Sequence, residues 1–170
     1  FKLLKRNYPN IFIQATFFGG VLDETKESMQ QLLEYAKELG VDYPSFHAVT
    51  PHPGTDFWNE VKENGLIEVD DFRQYDWFTP ILSSKYMSRE EIAKALREVT
   101  TKFAARPFWW LKGAFDTNQH RRKLYWWAAR QGAKVFINNA LEKFGFRKID
   151  TDVAELSGFM HLRRPEWYNT

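Results

Sequence analysis

The stretch Asn10-Ile11-Phe12-Ile13-Gln14-Ala15-Thr16-Phe17-Phe18-Gly19-Gly20 decides the fold. Its nearly unbroken β-branched and aromatic run, closed by two glycines, predicts a strand buried on both faces, as a parallel sheet demands. Thr25 then stands as N-cap to a helix over Lys26–Leu39, in which Met29, Leu32, Leu33, Ala36 and Leu39 recur at helical spacing, and Gly40 ends it. Val41–Thr50 follows as a second short strand. Strand, helix and strand at this spacing predict a βαβ unit.

Beyond the second strand comes a turn-rich loop, Pro51-His52-Pro53-Gly54-Thr55, then a short helix over Asp56–Asn64 closed by Gly65. Residues 66–87 lack sustained periodicity and read as an irregular connection. Ser88 with Glu91 three positions on forms a capping box, so Arg89–Ala105 should be a helix that stops before Pro107. A short helical piece is expected around Phe108–Ala114. A long one should run over Thr117–Phe144, with Leu124, Trp127, Ala128, Leu141 and Phe144 among its core positions. Gly132 is the expected point of interruption there, since an interior Gly costs about 1 kcal/mol relative to Ala. Phe146–Thr170 is weakly patterned.

Composition narrows the chemistry. Among 170 residues there is no cysteine, so the chain supplies no disulfide, no thiolate metal site and no thiol nucleophile. No apolar run approaches the roughly 20 residues that cross a bilayer, and no basic-then-apolar leader precedes a small-residue cleavage site. The expectation is a soluble, cytoplasmic chain, at most membrane-associated, and its opening at Phe1 reads as a piece of something longer. The net charge of +2 conceals an asymmetry: residues 1–100 carry 11 basic and 16 acidic side chains, residues 101–170 carry 13 and 6. A basic, aromatic-rich second part suits an anionic partner or an acidic face of the same protein.

The two predicted strands should end on one edge of the sheet, where loop backbone can satisfy a polar ligand, so residues 14–20 and 46–55 form the candidate site. Each polar residue there has a structural alternative: Gln14 and Thr16 as core-edge groups satisfied by neighbours, Glu24 as a helix-terminal carboxylate. His47 and His52 lie across a Pro turn with no third ligand at metal spacing, so no metal site is predicted. His52 can face a substrate or solvent. Phe108-Trp109-Trp110-Leu111-Lys112 and Arg121-Arg122-Lys123-Leu124-Tyr125-Trp126-Trp127 join cations to interfacial aromatics. That pairing suits an anionic membrane, a flat aromatic ligand, or a helical cap that buries its rings.

Gly20-Val21-Leu22-Asp23-Glu24-Thr25 is similar to the Gly-Leu-Pro-Gly-Glu-Thr turn of radical S-adenosylmethionine enzymes. Thr50-Pro51-His52-Pro53-Gly54-Thr55 resembles their Thr-Pro-x-Pro-Gly-Thr loop. The continuation through Gly65-Leu66-Ile67, Tyr75-Asp76, Met87–Ile92 and Phe103 looks like the subgroup that carries a cobalamin-binding domain, of the anaerobic magnesium-protoporphyrin ester cyclase type. The resemblance spans residues 10–107. The family's Gly-x-Ile-x-Gly appears as Thr16-Phe17-Phe18-Gly19-Gly20, with only the last glycine kept, and Leu22-Asp23 replaces Pro-Gly.

The resemblance implies an α/β fold, the C-terminal βαβ portion of a partial (β/α)6 barrel over residues 1–80, followed by a mainly helical, basic extension over 81–170. It implies S-adenosylmethionine, a 4Fe–4S cluster and cobalamin in the parent enzyme, with the cluster's cysteines outside this chain. It places Gln14, Thr16, Phe18, Gly20, Thr50 and Pro51 at the cofactor and His52, Trp109 and Trp110 toward substrate, leaves the catalytic residues unassigned, and makes the fragment inactive alone. The implied partners are the N-terminal domains of the same polypeptide, a tetrapyrrole or other large hydrophobic substrate, and a membrane surface, with nucleic acid disfavoured. The reading from another class is a basic amphipathic interaction module that binds a membrane surface or nucleic acid.

Overall fold

The computed structural model describes residues 1–106, 111 and 113–145. Among them the elements run α1 (Lys2–Asn7), β1 (Gln14–Gly19), α2 (Lys26–Glu38), β2 (Tyr43–Ala48), α3 (Asp56–Glu63), a 3-10 turn at Phe72–Gln74, α4 (Arg89–Ala104) and α5 (Gln119–Lys143). The strands pair in parallel, Gln14 beside Tyr43 through Gly19 beside Ala48, with α2 as the crossover. The result is a mixed α/β fold with a small two-stranded sheet. Much of the expected Phe108–Ala114 helix and all of Phe146–Thr170 lie outside the described residues.

Local chemistry sets the helix starts. Thr25 accepts from the Ser28 N–H and the Ser28 hydroxyl accepts from the Thr25 N–H, a capping box that satisfies two otherwise unpaired donors. Ser88 and Glu91 do the same for α4, and Thr55 caps α3 through the Trp58 N–H. The main core lies between the sheet and the helices α2 and α4. Phe17 stacks on Phe46 with ring centroids 5.4 Å apart, against Met29 and Leu33 of α2 and Ile92, Leu96 and Val99 of α4. A second cluster, Val61, Val69, Ile81 and Leu82, closes under the irregular connection.

Two expectations are corrected here. β1 is not buried on both faces: Ala15, Phe17 and Gly19 turn toward the helices, whereas Gln14, Thr16 and Phe18 are exposed. The helices α2 and α4 cover one face of the sheet; on the other, β1 is open, whereas Trp127 of α5 lies against Tyr43 and Phe78 packs on His47 of β2. Nor does Gly132 interrupt α5, which runs unbroken across it. One glycine's penalty of about 1 kcal/mol is small beside the cooperative hydrogen bonding of a 25-residue helix.

The face that α5 buries also differs from expectation. Leu124, Leu141 and Phe144 are exposed, and the buried stripe is Arg121, Tyr125 and Ala128. The cause is an ionic cluster at the N-terminal end of the strands. Asp42, 2% exposed, accepts the Ile13 N–H (2.8 Å) and the Tyr125 hydroxyl and pairs with Lys5 (3.0 Å). Arg121 donates to Asp116 (2.8 Å) and to the carbonyls of Pro9 (2.9 Å) and Ile11 (2.6 Å). Arg121 therefore holds the helix to the sheet and is not part of a solvent-facing basic patch, as its place in Arg121-Arg122-Lys123 had suggested.

Candidate functional site

The uncovered sheet face and the C-terminal ends of the strands make the candidate site. In a parallel pair the aligned residues share a face, so Gln14, Thr16 and Phe18 lie beside Tyr43, Ser45 and His47. Phe18 is 49% exposed and its ring centroid is 6.0 Å from that of His47. The polar residues Gln14 and Thr16 and the large ring of Phe18 thus face the same open side.

The ends of the strands are tied together. The Val49 N–H donates to the Gly19 carbonyl at 2.8 Å, which sets Thr50 and the buried Pro51 next to the Gly19–Gly20 turn. Thr50 is half-buried and its hydroxyl donates to the Ala48 carbonyl. The glycines serve the fold first. A Cβ on Gly19 would lie 2.6 Å from Met29 Sδ, so its bareness seats α2, and Gly20, at φ +88°, makes a turn that a side chain would strain. Glu24, buried beneath this turn, accepts the Gly20 N–H at 2.9 Å and the Ser28 hydroxyl. It latches the turn to the start of α2 through the Ser28 side chain, while the cap itself is Thr25.

His47 is 8% exposed and shares a 2.6 Å hydrogen bond with Ser45 through Nε2, while its Nδ1 has no hydrogen-bond partner. Burial pushes its imidazole below the ordinary histidine value, against the opposing pull of the Trp77 carbonyl and the Asp76 carboxylate. That carbonyl is already committed to the Ala48 N–H at 2.7 Å. His47 is therefore a packed ring, 4.7 Å from Phe78, whose charged form burial disfavours. His52 is exposed on the loop, and its Nε2 accepts from the Trp77 indole N–H at 2.7 Å. Among the described residues no group of three His, Asp or Glu side chains could hold a metal ion.

Trp77 is the residue that sequence reasoning missed. It has φ +66°, the left-handed region, where a bulky side chain costs roughly 1–2 kcal/mol. The surroundings impose it: Asp76 Oδ1 accepts the N–H groups of Phe78 (2.9 Å) and Thr79 (2.8 Å), and the Trp77 carbonyl caps the end of β2. Asp76 two and three residues before paired donors is a turn signal legible in sequence. Nothing in the sequence assigns the left-handed conformation to the tryptophan after it. Of the expected substrate residues, His52 is at this site, and Trp109 and Trp110 lie outside the described residues.

No family model matches the chain. It is 34% identical over 102 residues, 60% of its length, to an uncharacterised methyltransferase of Pyrococcus horikoshii, covering 22% of that protein. It is 31% identical over 72 residues, 42% of its length, to the bacteriochlorophyllide d C-8(2)-methyltransferase of Chlorobaculum tepidum, covering 16% of it. To the anaerobic magnesium-protoporphyrin IX monomethyl ester cyclase of Rubrivivax gelatinosus it is 29% identical over 122 residues, 72% of the chain and 21% of the relative. The chain spans about a fifth or less of the length of these relatives, all of which carry enzyme names. No described helix is long and apolar enough to cross a membrane.

Proposed function

We propose that this chain is the closing βαβ portion of a radical S-adenosylmethionine barrel in an enzyme of the cobalamin-dependent subgroup that acts on a tetrapyrrole. The observation that carries it is the open sheet face: Gln14, Thr16 and Phe18 stand exposed on β1, ending at a Gly19–Gly20 turn bonded to the Thr50–Pro51 loop. In a closed barrel the helix-covered face is the outside and the uncovered face is the lumen, where side chains and strand ends meet a ligand. The names of the relatives supply the reaction class, methyl transfer or ring closure, and the tetrapyrrole substrate.

The residues present fit part of that cofactor set. Phe18 offers an apolar face for an adenine ring, with Gln14 and Thr16 beside it as hydrogen-bonding groups and Gly20, Thr50 and Pro51 shaping the strand ends. Without a cysteine the chain has no thiolate for a 4Fe–4S cluster, so in this reading the cluster and cobalamin are held by other parts of the polypeptide. When bound, S-adenosylmethionine supplies the radical or methyl group, and this chain's residues orient it and keep water from the strand ends.

The test is direct. The reading frame upstream of the Phe1 codon should encode a Cys-x3-Cys-x2-Cys loop, and the full polypeptide, reconstituted anaerobically with iron and sulfide, should release 5′-deoxyadenosine or S-adenosylhomocysteine from S-adenosylmethionine. Phe18→Asp should weaken S-adenosylmethionine binding by tenfold or more. Absence of the cysteine loop, or unchanged binding in that variant, overturns the proposal.

A further inference from the structure

We propose that the Trp77 indole is the platform on which the flat face of the substrate stacks, and that it determines specificity at the mouth of the site. This rests on the tetrapyrrole reading above and deepens it. Three observations converge on Trp77. A large aromatic ring, 49% exposed, is carried on a left-handed backbone, a position that a glycine would fill without strain. Its edge is nevertheless fixed, since the indole N–H is bonded to His52 Nε2 at 2.7 Å and the backbone is clamped by Asp76 and Ala48. A ring that is both exposed and immobilised loses little further freedom when a ligand covers it, which is what a stacking surface requires.

The second observation is the company it keeps. Phe18, His47, Trp77 and His52 form a row of rings stepped about 6 Å apart, with centroid separations of 6.0, 6.4 and 6.1 Å. The row begins on the open sheet face and ends on the Pro51–Pro53 loop, so it borders the strand ends on one side. Two large rings of the row, Phe18 and Trp77, are open to a ligand at 49% exposure each, with the buried His47 between them in the row, so a ligand that covers both is wider than one aromatic ring. The third is its chemistry: Phe18 and Trp77, the large exposed rings of the row, are uncharged and apolar, which suits a macrocycle face.

Protoporphyrin IX is the probe, titrated into the full polypeptide and followed by quenching of tryptophan fluorescence. Trp77→Gly should bind it at least tenfold more weakly while melting within a few degrees of wild type, because the strain relieved at φ +66° offsets the lost His52 hydrogen bond and the packing on His47. A residue with a purely structural role would lose stability and binding together. Trp77→Phe keeps a stacking ring and should bind within about threefold of wild type, with a smaller quenching amplitude. Trp126→Ala, which removes an exposed ring on α5, serves as the control for non-specific adsorption and should leave the affinity unchanged. Binding by Trp77→Gly within twofold of wild type overturns the platform and leaves the tetrapyrrole reading standing. Failure of the wild-type protein to bind protoporphyrin IX overturns that reading together with this one. Competitive displacement of the porphyrin by S-adenosylhomocysteine overturns the assignment to substrate, since the ring would then belong to the nucleoside.

Discussion

Arg121→Met is the most informative single perturbation of the fold. The guanidinium is 7% exposed and donates to Asp116 Oδ2 (2.8 Å), the Pro9 carbonyl (2.9 Å) and the Ile11 carbonyl (2.6 Å), and stands 3.6 Å from Asp42. Methionine preserves most of the aliphatic stem, so the loss is electrostatic rather than a cavity. Asp42 keeps Lys5, the Ile13 N–H and the Tyr125 hydroxyl, whereas two carbonyls and the Asp116 carboxylate lose their charged donor. Removing one partner of a buried ion pair costs about 3–5 kcal/mol, and the partners that Asp42 and Asp116 keep, the Asn118 N–H among them, place this variant at the lower end, about 3 kcal/mol. For a chain of this size that lowers Tm by about 6–12 °C. Thermal and urea denaturation followed by circular dichroism measure it. Adding Asp116→Asn to Arg121→Met should recover about 1 kcal/mol, because the carboxylate that has lost its guanidinium is then replaced by a neutral amide. A loss below 1 kcal/mol in the single variant, or strict additivity in the double, refutes the reasoning.

Three further outcomes are expected. Gly113→Ala sets a Cβ against the Tyr125 ring and should cost about 1–3 kcal/mol by urea denaturation, and a neutral effect would show that the ring yields freely. Glu24→Gln leaves one oxygen where two now accept, from Gly20 and Ser28, and should destabilise the protein by about 1–3 kcal/mol; an unchanged urea midpoint argues against the latch. Because the folded state holds the His47 imidazole below its ordinary value near 6.5, the unfolded chain takes up a proton that the folded chain refuses. Stability is therefore full above about pH 6.5 and falls as the pH drops below it, and His47→Gln should flatten that part of the profile; an identical slope in both proteins counts against it.

Where the controlling interaction is local, sequence and structure agree closely. Thr25 with Ser28 and Ser88 with Glu91 begin their helices at the expected residues, since a cap and its partner lie three positions apart in the chain. The parallel pairing of β1 with β2 also emerges, because a βαβ unit admits few arrangements. Long-range interactions are another matter. The burial of Arg121 depends on carbonyls more than 100 positions away, and a single sequence reads it as one more surface cation. Phe18 gives no sign of being exposed, because a strand's apolar composition cannot say whether a second layer covers it. Trp77 lies in a stretch without periodicity, so its left-handed backbone has no local signature.

The ionic cluster and the row of rings occupy opposite ends of the same two strands. Six residues of strand separate them by about 17–20 Å, beyond the reach at which substitutions usually couple. The consequence is evolutionary. Substitutions at Phe18, Trp77 or His52 can change which ligand is recognised while the Asp42–Arg121 end keeps the helices in register, so descendants of one scaffold can diverge in substrate without first re-establishing a stable fold.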